Sequence, residues 1–218
     1  MGEADQIMNR PKIKAQVVEA QIKVYGIECL YYMLPLENVL SVMKSGILSH
    51  NRAKLLPHRS FADASVQWRR DHLIIPGANK HIHDYVPLYF TTHTPMQYVL
   101  TQGANSVIDQ EELVFIEVDA VKAFSTPGAV FTDGNVASGE TYIHTDLEGL
   151  SELDWHVIRE VPNCYSREYK RKKAAEVLVP DHVPSDHFLR AVVFNAKVQK
   201  RLSRVVRCAC EVDLRHYY

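Results

Sequence analysis

Residues 170–180 read KRKKAAEVLVP. Four cations run into two alanines, one glutamate and an apolar stretch with the pattern of a buried strand. Glu176 therefore stands at the lip of that strand, where a carboxylate loses part of its hydration and needs partners. Its chemical reading is a group that orients a hydroxyl or stabilises a developing cation; its plainer reading is a surface glutamate ahead of a strand. Three other stretches carry comparable residues. In FTDGN, 131–135, local grammar places Asp133-Gly134 at the tip of a hairpin, while Thr132 and Asn135 can hydrogen-bond a polar ligand. In VPLYFTTHTPMQY, 86–98, Tyr89, Phe90, Met96 and Tyr98 offer either core packing or a wall that stacks a planar ring. In WRR, 68–70, Arg69 and Arg70 end a helix and suit phosphate by bidentate geometry, or are simply exposed. The eleven histidines form no metal pattern. His81-Ile82-His83-Asp84 comes nearest, and no metal site is expected.

The elements that must position these residues follow from local signals. IECLYYML reads as a strand. Pro35 then opens the helix PLENVLSVMKSG, with Leu36, Val39, Leu40 and Met43 on one face and Gly46 as its stop. Ser60 with Asp63 marks the start of a helix carried on by FADASVQWRR, and VPLYFTT is a short strand. Thr94-Pro95 begins the helix TPMQYVLTQG, which Gly103 closes. ELVFIEVD alternates as a strand, ELDWHVIRE is helical, and AAEVLVP and LRAVVF are strands. NAKVQKRLSRV is helical and VRCACEVD closes as a strand. Residues 1–14 are polar and read as a frayed start, and AQVVEAQIKVYGI is ambiguous. The stretch 136–165 has little periodicity and reads as a long functional loop. Strands and helices come mixed, without regular βαβ alternation or a glycine-rich phosphate loop, which predicts an α+β fold.

The chain has 218 residues, the length of one large domain or two small ones, and enough to bury a substantial core. Its formal net charge is −1, so global charge does not announce a nucleic-acid binder. Its distribution is uneven. Residues 101–160 hold twelve Asp/Glu against two Lys/Arg, and residues 167–215 hold twelve Lys/Arg against six Asp/Glu. A basic face can meet phosphate even on a neutral protein. The cysteines Cys29, Cys164, Cys208 and Cys210 match no zinc spacing. With no signal-like or membrane-length apolar stretch, they read as free thiols of a cytoplasmic protein.

Five motifs in order, ENVLSVMKSGILS, SVQWRR, HDYVPLYFTTHTPMQYV, FTDGN and KKAAEVLVP, resemble the DarT family. These are toxins of toxin–antitoxin pairs that ADP-ribosylate DNA bases. The resemblance runs from about Leu30 to Val179. It implies one ADP-ribosyltransferase domain over residues 1–218: a split, mixed β-sheet with a cleft for NAD+, flanked by helices. It aligns Glu176 with the catalytic glutamate and Arg69 or Arg70 with an arginine near the NAD+ phosphates or the reacting base. It implies that Tyr31, Tyr32, Asn38, Tyr89, Phe90, Met96, Thr132 and Asn135 hold NAD+, and that Lys170, Arg171, Lys172 and Lys173 track a nucleic-acid backbone. The stretch 136–165 would read the substrate.

The same resemblance implies single-stranded DNA as acceptor, with RNA as the alternative, no metal, and a macrodomain antitoxin as partner. Two departures stand out. Tyr31-Tyr32 replaces the Tyr-His common in the family, so Tyr32 takes the place of a ribose-holding histidine. Thr91-Thr92-His93-Thr94 follows Phe90 where an arginine is common. Two other readings remain open: a catalytically inactive nucleic-acid binding module and a transferase acting on protein.

Overall fold

The computed structural model describes residues 3–61, 64–102, 106–162 and 166–218. Its strands are β1 (Cys29–Pro35), β2 (Ile47–Leu48), β3 (Tyr85–Tyr89), β4 (Leu113–Asp119), β5 (Val130–Thr132), β6 (Ile143–His144), β7 (Glu176–Pro180), β8 (His182–Val183), β9 (Phe188–Val193) and β10 (Ala209–Val212). The α-helices are α1 (Glu3–Val24), α2 (Val39–Ser45), α3 (His50–Ala53), α4 (Ala64–Asp71), α5 (Pro95–Thr101), α6 (Ala120–Ser125), α7 (Trp155–Arg159), α8 (Arg167–Lys173) and α9 (Ala196–Leu202).

Eight strands form one sheet in the order β10-β9-β4-β1-β3-β7-β5-β6, and β2 pairs separately with β8. The sheet is mixed: β10 runs parallel to β9, and the other pairings are antiparallel. It is also split. β1 and β4 share seven paired positions, but β1 and β3 meet only at Tyr31 opposite Tyr89. Beyond that point the two halves diverge, and β3 is an edge strand along the opening. Pro87, which has no N–H to give a neighbour, is tolerated in the middle of β3 for that reason.

The main core lies under one face of the sheet. There Leu30, Leu34, Val86, Leu88, Val114, Ile116, Val177 and Val179 meet Val18 and Ile22 of α1, Val39 and Met43 of α2, and Ala123 and Phe124 of α6. On the opposite face Met33, Leu113, Phe115, Leu100, Val192 and Tyr217 form a smaller cluster. β4 is buried on both faces, so the inside–outside alternation expected of it is lost. Its one inward carboxylate, Glu117, accepts from Arg190 at 2.7 Å and lies 3.0 Å from His216 Nε2. Burial alone would raise its pKa; the His216 and Arg190 contacts bring it down to about 2.

Three sequence expectations change. Residues 3–24 are helical rather than frayed at the start, because α1 buries Val18 and Ile22. Leu40 is 47% exposed, and Val42 packs on the core in its place. The stretch 136–165 is not one loop: it contains β6, a 3-10 turn over Leu147–Glu152 and α7. Gly46 ends α2 as expected, at φ +73, and a Cβ there would sit 2.4 Å from the Val183 carbonyl, so only glycine fits. Gly103, Asp63 and Cys164 lie outside the described residues.

Candidate active site

A cavity of about 910 Å³ opens where the sheet splits. β1 contributes Tyr32 to Pro35, β3 contributes Tyr85, Pro87 and Tyr89, α4 contributes Arg69 and Arg70, and α5 contributes Met96. Asn135 and residues 137–139 close one side, with Arg167, Lys170 and Arg171 of α8 beside them. The volume is that of a pocket for a ligand of nucleotide size.

Glu176 lies directly behind this wall. It is 1% exposed, and Arg70, at 7%, stands between it and the cavity. Arg70 Nη1 donates to Glu176 Oε1 at 3.1 Å and Nη2 donates to Oε2 at 3.2 Å, while the Val136 N–H donates to Oε1 at 3.1 Å. A buried carboxylate is stable only with partners of this kind. Burial by itself would lower the Arg70 pKa, but the charge of Glu176 and the hydrogen bond to it outweigh it, so the guanidinium is held charged. Tyr89 pairs with Glu176 across β3 and β7 and so shares its face of the sheet. Burial first, and then the Glu176 charge, pushes the Tyr89 phenol up, keeping it protonated.

Local sequence explains why these groups meet. Thr94 caps α5 by accepting from Gln97 N–H at 3.2 Å, with Pro95 in the first turn, and this sets Met96 against Tyr89. α4 is braced from below: His83, 5% exposed, bridges Asp71 through Nδ1 and Gln67 through Nε2, each at 3.1 Å. The stretch His81–Asp84, singled out as the nearest thing to a metal pattern, instead orients the helix that carries Arg70. Its partners lie twelve and sixteen residues away, beyond what a local pattern reveals. Among the described residues no three His, Cys, Asp or Glu side chains converge to hold a metal.

Of the residues expected to hold a nucleotide, Tyr32, Asn38, Tyr89, Met96 and Asn135 line the cavity, as do Arg69 and Arg70. Asn38 also clasps the Arg59 backbone, donating to its carbonyl at 2.7 Å and accepting from its N–H at 3.1 Å. Three expectations are corrected. Phe90, the residue just past the end of β3, turns the other way and packs on Trp155 and Phe124. Tyr31 sits beside Cys29 and His216, away from the cavity. Thr132 is fully buried, and its hydroxyl donates to the Gly134 carbonyl and accepts from the Glu176 N–H. It therefore fixes the backbone that presents Glu176 and does not line the cavity.

The basic block is corrected too. Lys170 and Arg171 line the cavity, but Arg171 bonds Asp133 at 3.0 Å and Glu168 at 2.9 Å. Lys172 pairs with Asp154 at 3.0 Å. Lys173 is 1% exposed, donates to the Ile158 and Glu160 carbonyls, and has its pKa lowered by burial to about 8. The block is thus largely a set of internal fasteners. Asp133-Gly134 is likewise no two-residue hairpin tip. It opens a ten-residue excursion, 133–142, whose ends Asp133 joins by accepting from Tyr142 N–H at 2.7 Å.

A mixed sheet that splits over a nucleotide-sized cleft, with an arginine–glutamate pair at its floor, defines an enzyme of the ADP-ribosyltransferase class. The profile of the family described as "ssDNA thymidine ADP-ribosyltransferase, DarT" matches residues 31–217. A DNA ADP-ribosyl transferase of Thermus sp. (strain 2.9) is 28% identical over 182 residues, spanning 82% of this chain and 87% of that protein. A fusion of a DNA ADP-ribosyl transferase with a DNA ADP-ribosyl glycohydrolase from Thermosipho africanus (strain H17ap60334) is 28% identical over 184 residues, spanning 81% of this chain and 45% of the fusion. The solved structure of Thermus sp. 2.9 DarT in complex with ADP-ribosylated ssDNA superposes with a TM-score of 0.79 at 27% identity, covering 88% of this chain and 97% of that one. The chain belongs to the DarT family.

Proposed function

We propose that this protein transfers ADP-ribose from NAD+ to a base of single-stranded DNA, with thymine, the base in the family's description, as the acceptor. The observation that carries this reading is the Arg70–Glu176 pair at the floor of the cleft, presented by the split between β1 and β3. In the reaction the bond between nicotinamide and ribose C1″ breaks, and nicotinamide departs with the electron pair. A base nitrogen forms the new bond to C1″ and loses its proton. Positive charge develops on the ribose as the bond breaks, and a fixed carboxylate stabilises that charge at the transition state.

Arg70 meets the substrates first. Its guanidinium has five N–H groups; the pair with Glu176 engages Nη1 and Nη2, and donors remain for a substrate oxygen. Entry of the ribose past Arg70 brings it to Glu176, a tightening on substrate binding that is common among catalytic groups. Tyr89 and Met96 form the wall for the nicotinamide ring, and Arg69, exposed at the mouth, suits a phosphate. The transferase–glycohydrolase fusion among the relatives supports a toxin role, with a macrodomain-type enzyme that removes the modification as partner.

The test is incubation with labelled NAD+ and, separately, single-stranded DNA, RNA and protein. Label is expected on single-stranded DNA. A folded Glu176→Gln variant is expected to lose on the order of 100- to 1000-fold in rate. Label confined to protein or RNA, or transfer by Glu176→Gln at the wild-type rate, overturns the reading.

A further inference from the structure

On α4, next to the arginines of the cleft, Trp68 is 69% exposed. An indole left in water forfeits a large apolar burial, so such a placement points to a surface that something covers. Trp68 walls a second depression of about 250 Å³, with Arg69, His72, Leu73 and residues 136–139. Arg69, Ala137, Ser138 and Gly139 line this depression and the main cleft alike, so the two form one continuous surface divided by a low ridge. The ridge is built of small residues, and a Cβ at Gly139 would meet nothing within 4 Å. The indole is backed by the His72 ring, 5.0 Å away and tilted by 52°, and His72 Nδ1 lies 2.9 Å from the Trp68 carbonyl. Leu73 and Val136 supply apolar lining. Arg69, at the junction, makes no ion pair among the described residues.

An aromatic wall with apolar lining beside a cation is the environment that a flat heterocycle joined to a phosphate requires. We propose that this depression is a subsite for the nucleobase flanking the acceptor base of the single-stranded substrate. Trp68 is the stacking platform, and Arg69 meets the phosphate between the two nucleotides. The proposal rests on the reading of the cleft as a site that modifies a nucleic-acid base. Such a subsite favours unpaired strands, because a base can offer its face to Trp68 only when it is free of its duplex neighbours.

The test reads binding without turnover. A Glu176→Gln protein is titrated with a fluorescent single-stranded oligonucleotide, intact or carrying an abasic site on one or the other side of the acceptor, and separately with NAD+. Adding Trp68→Ala, an exposed position where folding is not at stake, is expected to weaken the intact oligonucleotide about tenfold. The affinity for NAD+ stays unchanged, and Trp68→Phe restores most of the loss. An abasic site on one side weakens the protein that keeps Trp68 by a similar factor and has no further effect once Trp68 is removed. Equal oligonucleotide affinity with and without Trp68, indifference to both abasic positions, or a loss confined to NAD+ overturns the subsite. An oligonucleotide that binds through Trp68 but is never modified by the wild-type protein overturns the proposed transfer instead and leaves the subsite standing.

Discussion

Arg70 and Glu176 are unequal partners. Glu176 is buried behind Arg70, which also faces the cleft. Removing the arginine strands a buried carboxylate, at a cost of about 3–5 kcal/mol. Replacing the glutamate by glutamine leaves an amide oxygen that still accepts a hydrogen bond. Arg70→Ala is therefore expected to lower the melting temperature well below that of Glu176→Gln, although both lose transfer. Thermal melts of the two variants check this, and equal melting temperatures contradict it. His83 makes a second prediction at this scale. Burial lowers its pKa; Asp71 opposes the shift, and the Arg70 and Lys54 charges add to it. The folded protein thus favours neutral His83. Its contribution to stability is present above the imidazole's ordinary value of roughly 6.5 and is lost as pH falls through the lower folded value. The melting temperature should fall between about pH 6.5 and the onset of carboxylate titration, and His83→Gln should flatten that segment of the curve.

Among the elements, the contact of β5 and its excursion with α8 decides where Glu176 points. Asn135 N–H donates to the Arg171 carbonyl at 2.9 Å, and Arg171 returns to Asp133. Gly134 lies so close beneath α8 that a Cβ would stand 2.6 Å from Arg171 Nη1 and 2.9 Å from the Arg171 carbonyl oxygen. The side chain could swing away, but the carbonyl is part of the helix. Gly134→Ala is therefore expected to cost about 1–3 kcal/mol through overpacking. It should also reduce transfer beyond the loss of folded protein, because Val136 N–H, two residues on, bonds Glu176. Denaturant unfolding and the initial rate of transfer, measured on the same preparation, separate the two effects. A variant as stable and active as wild type rules out this coupling.

For the molecule as a whole, a net charge of −1 conceals a cleft rimmed by Arg69, Arg167 and Lys170. Each phosphate neutralised on a single strand contributes about 0.7 to the slope of log affinity against log salt. Lys170→Ala should reduce the salt slope for DNA by roughly that amount. Lys173→Met should leave the slope unchanged and reveal itself in the melting temperature, since Lys173 binds carbonyls of the chain. Affinity across a salt series distinguishes the two; a slope that falls for Lys173→Met contradicts the internal role. The far end of the chain contributes at this scale too. Tyr217 donates to the Leu113 carbonyl, and the His216 carbonyl accepts from Gln97 of α5, so residues 213–218 brace the helix that carries Met96. Among the described residues no helix is long and apolar enough to cross a membrane.

What the sequence determined by itself was local or ordered along the chain. The Thr94-Pro95 cap, the Gly46 stop and the apolar run of β7 act through neighbours a few residues apart, so their chemistry is readable in place. The order of the five motifs pointed to the family for the same reason. Only the tertiary structure decided which side of each strand faces the cleft. Tyr89 and Phe90 are adjacent and alike in type, yet one lines the cavity and the other the core. That choice belongs to the sheet: a strand alternates its faces, but the split between β1 and β3 determines which face meets ligand. Likewise, the four cations of α8 look equivalent in sequence. Their partners Asp133, Asp154 and Ile158 stand fifteen to thirty-eight residues away, so burial and pairing, which set their roles, exist only once the chain has folded.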